Sequence, residues 1–235
     1  MSKKRLAAAL IFVVAVVGIA AYFIAGTVLK DPVPEGAPTP APTGGGWVNL
    51  LDAEHAPGWS NAGDDKDIFE ITADGMLHIY GKSLATLRYA TYTEPFSDFD
   101  LHLEFRVASG ANSGVFLRST PNDPVYRGFE VQVLDDAGES PHKNGSGAIY
   151  DVVTPMFNMA RPAGQWNSYD ISLRGPEVKI TMNGWLVVHT DLSKMTEPLG
   201  KFEIPYAELP GEGHLMLQDH GGEVWYRNIY IKPVS

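Results

Sequence analysis

From Asp98 to Asp136 the chain reads DFDLHLEFRVASGANSGVFLRSTPNDPVYRGFEVQVLDD, and no other stretch limits its possible folds as tightly. Phe99, Leu101, Leu103, Phe105 and Val107 alternate with Asp100, His102, Glu104 and Arg106. A period of two is the pattern of a strand with one face on a core and the other turned away from it. The turn SGANSG leads into GVFLR, and a loop of Pro, Asn and Asp leads into GFEVQV, where Phe129, Val131 and Val133 alternate with Glu130 and Gln132. Three successive strands are therefore expected. Their polar rows would bring Glu104, Arg118, Glu130 and Gln132 onto one face, a plausible carbohydrate-sized site. The same charges also suit a face that merely meets solvent.

The N-terminus is read separately. Lys3, Lys4 and Arg5 precede an uncharged run from Leu6 to Leu29 that closes at Lys30. As a helix that run would span roughly 36 Å, against a hydrocarbon core of ~30 Å. Gly18-Ile19-Ala20 could serve as a signal-peptide cleavage site, but the apolar run continues past it, so a retained anchor is expected over residues 1–30. Either reading puts the rest of the chain outside the cytoplasm, periplasmic or extracellular, and secreted if the segment is cleaved. Membrane contact is expected through this helix only. Residues 31–46, DPVPEGAPTPAPTGGG, form a Pro/Gly-rich tether without an apolar period. A domain is expected over 47–235.

Charge and cysteine content remove several functions. The chain has 18 basic and 28 acidic residues, with four and two of them in residues 1–46, so the domain carries 14 against 26. A net charge of −12 without a cationic stripe argues against nucleic acid as a partner. There is no cysteine, which excludes disulfides, thiolate metal sites and a cysteine nucleophile. The run GDDKD, Gly63 to Asp67, gathers three aspartates but lacks a loop-type calcium spacing, so a solvated turn is the expectation. No cofactor is required by the sequence, and a divalent cation stays open.

The remaining punctuation is that of an all-β chain. FEITADGMLHIYG reads as a hairpin about its Ala-Asp-Gly, and Asn183-Gly184 is the strongest hairpin cue present. Trp47 and Trp59 are expected to pack rather than to offer sugar platforms. No helical period competes after the tether. Short strands separated by Gly, Pro and Asn turns predict a two-sheet antiparallel β-sandwich.

Five segments, NSGVFLRS, YRGFEVQVLDD, GSGAIYDV, PAGQWNSYDISLRG and LQDHGGEVWYRNIYIK, resemble in this order the motifs of the 3-keto-disaccharide hydrolase family, a concanavalin A-like jelly roll. The resemblance runs from Gly46 to Val234. It departs from the family pattern between Lys82 and Pro95, which is longer here and holds Arg88, Tyr89 and Tyr92. That stretch is either a specificity loop or an insertion.

The resemblance implies a di- or oligosaccharide, or other glycoside, oxidised to a ketone at C3. A C3 carbonyl acidifies the C2 proton, so a base can remove it and the C1 substituent can leave, after which water adds. Such a site needs a base, a donor or cation for the enolate oxygen and an acid for the leaving oxygen. Glu130 is the expected base, with Gln132 able to orient it. Arg118 is the expected electrophilic partner, because its guanidinium is a fixed, always-charged fork of donors. His220 is the expected acid–base partner, with Asp219 orienting it or capping a turn. Glu104, Gln132, Gln218 and Asp219 complete the candidate substrate contacts. Two other classes stay open, a non-catalytic sugar-binding module and a displayed interaction domain.

Overall fold

The computed structural model describes residues 42–62, 67–82 and 88–234, so the expected anchor, most of the tether and Gly63–Lys66 of the aspartate run lie outside the described residues. Among the described residues thirteen strands follow in chain order: β1 Val48–Asn49, β2 Trp59–Ala62, β3 Phe69–Ile71, β4 Leu77–Ile79, β5 Arg88–Phe96, β6 Phe99–Val107 and β7 Asn112–Ser119. Then come β8 Phe129–Leu134, β9 Asn167–Arg174, β10 Glu177–Met182, β11 Trp185–Asp191, β12 Gly213–Asp219 and β13 Val224–Pro233. Among the described residues the helical elements are three short 3-10 turns, and none is long and apolar enough to cross a membrane.

The strands form two antiparallel sheets. The larger has the order β11-β10-β9-β6-β13-β4-β3, with β1 also paired to β13; the smaller has the order β2-β5-β12-β7-β8. Turn chemistry sets the hairpins. Asn183 and Gly184 sit at φ 50° and 82°, as a two-residue primed turn between β10 and β11 requires. In the β3–β4 turn, Thr72 Oγ1 donates to Asp74 Oδ1 at 2.6 Å and Gly75 N donates to Thr72 O at 2.9 Å.

The core lies between the sheets. Leu101, Leu103 and Phe105 of β6 and Tyr169, Ile171 and Leu173 of β9 face Val115 and Leu117 of β7, Val131 and Val133 of β8, and Leu215 and Leu217 of β12, all buried. Burying each such side chain is worth about 1.5–3 kcal/mol, which is why the apolar rows dictate which face of each strand turns inward. Trp59 belongs to this core, its Nε1 donating to Leu50 O at 2.9 Å and its ring edge-on to Tyr92.

Two expectations change. The stretch from Arg88 onward is strand β5 of the smaller sheet, paired with both β2 and β12, so from there it is scaffold and not a loop; residues 83–87 lie outside the described residues. The three central strands also do not share one sheet. β6 pairs with β9 and β13 in the larger sheet, while β7 and β8 pair in the smaller one. The SGANSG turn carries the chain across the sandwich. Polar rows of strands in facing sheets point in opposite directions, so Glu104 cannot meet Glu130.

Candidate functional site

The site lies on the face of the smaller sheet turned away from the core. In the β7–β8 pair Phe116 sits opposite Glu130 and Gly114 opposite Gln132, and β12 sets Met216 beside Phe116 and Gln218 beside Tyr89. Tyr89, Phe116 and Met216 form a small buried apolar cluster of their own, separate from the main core, with Tyr89 and Phe116 edge-to-face at 5.0 Å. Phe116 of this cluster lines a cleft together with Glu130, Gln132, Gln218 and His220.

Two loops wall it. The GSGAIYDV segment extends the edge of β8: Gly147 N donates to Gln132 O, Gln132 N to Ala148 O and Tyr150 N to Glu130 O. That pairing carries Tyr150 into the cleft. The second loop brings Lys201, Phe202 and Tyr206. Asp151 ties the two together, since its carboxylate takes the Lys143 ammonium at 2.6 Å and also accepts from Lys201 N. Lys201 Nζ in turn donates to Tyr150 Oη at 2.8 Å.

Glu130 is the chemically distinctive group. Burial against the sheet pushes its carboxyl up to about 8, and the Lys201 ammonium opposes that rise. Its residue surface is still partly open to the cleft, so its low-dielectric setting, and not complete sealing, raises the value. Among the described residues none donates a hydrogen bond to that carboxyl. Space for it comes from Gly114, where a β-carbon would run into Glu130 Oε1. Burial also pushes the Tyr206 phenol, at the cleft wall, up to about 12.

The other expected residues divide. Gln132, Gln218 and His220 line the same cleft as Glu130. Gln132 does not orient Glu130, however, because its Nε2 donates to Asn144 O at 3.1 Å and its Oε1 accepts from Val133 N at 3.1 Å. His220 is exposed, with Nδ1 3.5 Å from Asn112 Nδ2. Asp219 alternates to the other face and is buried, where its carboxylate accepts from Lys82 N at 3.1 Å and Gly221 N at 3.2 Å. It therefore closes the turn instead of orienting His220.

Arg118 lies apart from these groups. Its backbone takes φ 49° where the β7–β12 register shifts, and that irregularity breaks the alternation which would have aimed it beside Glu130. The buried guanidinium donates to Ser97 O at 2.7 Å, Gly175 O at 2.7 Å and Asp98 Oδ1 at 2.8 Å, joining the smaller sheet to the β5–β6 and β9–β10 turns. Glu104 is buried on the outer face of the larger sheet against Arg227 Nε at 2.5 Å, and that guanidinium covers the Trp166 ring. Both residues are structural here.

Lys201, Phe202, Tyr206 and Asn112 are cleft residues that the strand pattern did not single out. The Gly200-Lys201-Phe202 triplet, a cation beside an aromatic after a turn glycine, is the signal that was available. Tyr150 stood within a quoted motif. Among the described residues no group of three or more His, Asp or Glu side chains is placed to hold a metal ion.

A two-sheet antiparallel sandwich with a cleft on one outer face, walled by aromatic and charged loops, defines the class: a jelly-roll β-sandwich. Residues 46–232 match the family described as 3-keto-alpha-glucoside-1,2-lyase-like domains, and the chain belongs to that family. A 3-keto-disaccharide hydrolase of Bacteroides thetaiotaomicron is 27% identical over 231 residues, covering 81% of this chain and 79% of the relative. A solved Parabacteroides distasonis structure assigned as a glycosyl hydrolase is 26% identical, with a TM-score of 0.69 over 80% of this chain and 99% of its own. A Bacillus licheniformis β-glucanase, 11% identical, shares the fold with a TM-score of 0.50 over 82% of this chain and 100% of its own.

Proposed function

We propose that this cleft cleaves 3-keto glycosides by elimination and hydration. The observation that carries the reading is a carboxyl at Glu130 raised to about 8 on a rigid strand, beside the ammonium of Lys201 and the imidazole of His220. A general base works best when its pKa lies near the working pH. Glu130 takes the proton from C2, and the electron pair moves onto the C3 oxygen as an enolate. Lys201, held on Tyr150, offsets that developing charge. Collapse of the enolate breaks the C1–O bond, and the leaving alkoxide takes up, through the imidazole of His220, the proton that Glu130 removed from C2. Water then adds across C1 and C2, so one water is consumed and a 3-keto sugar and an alcohol are released. Lys201 fills the electrophile's role expected of Arg118, whose donors are committed to the scaffold.

The decisive experiment compares a 3-keto disaccharide with its unoxidised parent. Only the ketone acidifies C2, so the oxidised sugar is expected to be cleaved at least ~10³-fold faster, a difference within the range that loss of acid–base catalysis produces. Equal cleavage of both would remove the elimination chemistry. Binding of the oxidised sugar with cleavage of neither would return the domain to a sugar-binding module.

Gly114→Ala offers a second check. The added β-carbon would meet Oε1, Cδ and Cγ of Glu130, so the side chain has to turn away from Cγ outward and the carboxyl is displaced. Turnover of the 3-keto disaccharide is expected to fall by about 10², the usual result of misplacing a reacting group by ~1 Å, with little change in melting temperature. Unchanged turnover would mean that the position of this carboxyl does not matter.

A further inference from the structure

The cleft does not end at its charged groups. Tyr126, one residue beyond the cleft-lining Val125, is 54% exposed, yet the hairpin that carries it is well tied: Thr120 N donates to Arg127 O, Asp123 N to Thr120 O and Arg127 N to Asp123 O. Its ring meets Phe202 of the opposite wall edge-to-face, with centroids 5.5 Å apart at 71°. Phe202 continues to Tyr150 at 6.5 Å, and the Lys201 ammonium lies over both rings, 4.9 Å from Phe202 and 4.7 Å from Tyr150. Two loops from separate parts of the chain thus meet in an aromatic rim that runs outward from the group placed at the enolate oxygen.

Tyr126 contributes little to the fold. Half of it faces water, and it belongs to neither the main core nor the cluster around Phe116. An isolated exposed aromatic would call for no explanation. A fixed pair across the mouth of a cleft differs, because two-torsion aromatic rings give contact area at small entropic cost and stack against flat apolar faces. The axial C–H face of a pyranose is such a surface.

We infer that Tyr126 and Phe202 form a subsite for the leaving group, so that the preferred substrates carry a second ring with a flat apolar face, a pyranose, at C1. The inference rests on the elimination reading for the orientation of the substrate, with the oxidised ring inside at Glu130 and the leaving ring outside on the rim. Removal of Tyr126 should therefore change which leaving group is preferred.

The test compares three 3-keto glucosides, with a methyl, a phenyl and a glucosyl leaving group, on the wild-type protein, Tyr126→Ala and Tyr126→Phe. In Tyr126→Ala the ratio of kcat/KM for the glucosyl over the methyl substrate is expected to fall about tenfold, mostly through KM, and Tyr126→Phe should restore it. A loss confined to the phenyl substrate would assign the rim to aryl leaving groups and overturn the pyranose assignment. An equal fall for all three, or none, would overturn the subsite. Calorimetric titration of the unoxidised disaccharide separates this outcome from failure of the chemistry. If no substrate is cleaved, about tenfold weaker binding by Tyr126→Ala still supports the subsite, and unchanged binding removes it.

Discussion

Glu130→Gln is expected to abolish turnover of a 3-keto disaccharide by a factor of about 10²–10⁴ and at the same time to make the protein more stable. The two effects share one cause. A carboxyl raised to about 8 is a competent base only in its ionised form, so wild-type activity should climb as pH rises through about 8. Glutamine keeps the shape without the proton acceptor, so that limb disappears. For stability the sign runs the other way. The folded value lies above the unfolded one of about 4.3, so the folded state holds its proton more tightly. The contribution is fully present below the unfolded value and is lost as pH climbs through about 8. At pH 7 the neutral amide should therefore gain on the order of 1–3 kcal/mol over the carboxyl, less where the open side of the cleft supplies water. Thermal melts at pH 5 and pH 8 measure this, with the Gln variant's advantage growing toward pH 8. Near-normal turnover in the folded variant would remove Glu130 from the mechanism.

Arg118→Met should do the opposite, lowering stability and sparing the chemistry. It strips donors from Ser97 O and Gly175 O and leaves the Asp98 carboxylate without its ion pair. Breaking a buried pair typically costs 3–5 kcal/mol; Asp98 retains 36% exposure, so about 3 kcal/mol is expected, or ~6–12 °C in melting temperature. Below the transition, kcat on the 3-keto disaccharide should stay within roughly threefold of wild type, since Lys201 and not Arg118 lines the cleft that holds Glu130. An unchanged melt with kcat lost would reinstate Arg118 as the electrophile.

These variants separate residues that look alike as letters on polar strand positions. Glu104, Arg118 and Glu130 all stood in short strands beside apolar neighbours, and local alternation gives each the same standing. What distinguishes them is non-local. Glu104 belongs to the other sheet, and Arg118 sits on a residue of positive φ at a register shift. Asp219 and His220 are adjacent, yet the strand pleat sends one inward to Lys82 N and the other outward to the cleft. Lys201 reaches the site only because Asp151 and Tyr150 hold its loop there.

The amino-acid sequence by itself determined the all-β class, the hairpins at Thr72–Gly75 and Asn183–Gly184, and the inward apolar rows. These depend on period, turn chemistry and ordered motifs, which are properties of neighbours along the chain. The tertiary structure alone decided that β6 and β7 lie in facing sheets, that Arg118 is a clasp, and that Lys201 and the Tyr126–Phe202 rim complete the cleft. The physical reason is that strand pairing and loop closure are settled by the burial of the whole core, and a register shift of one residue redirects a side chain without leaving a mark in the local pattern.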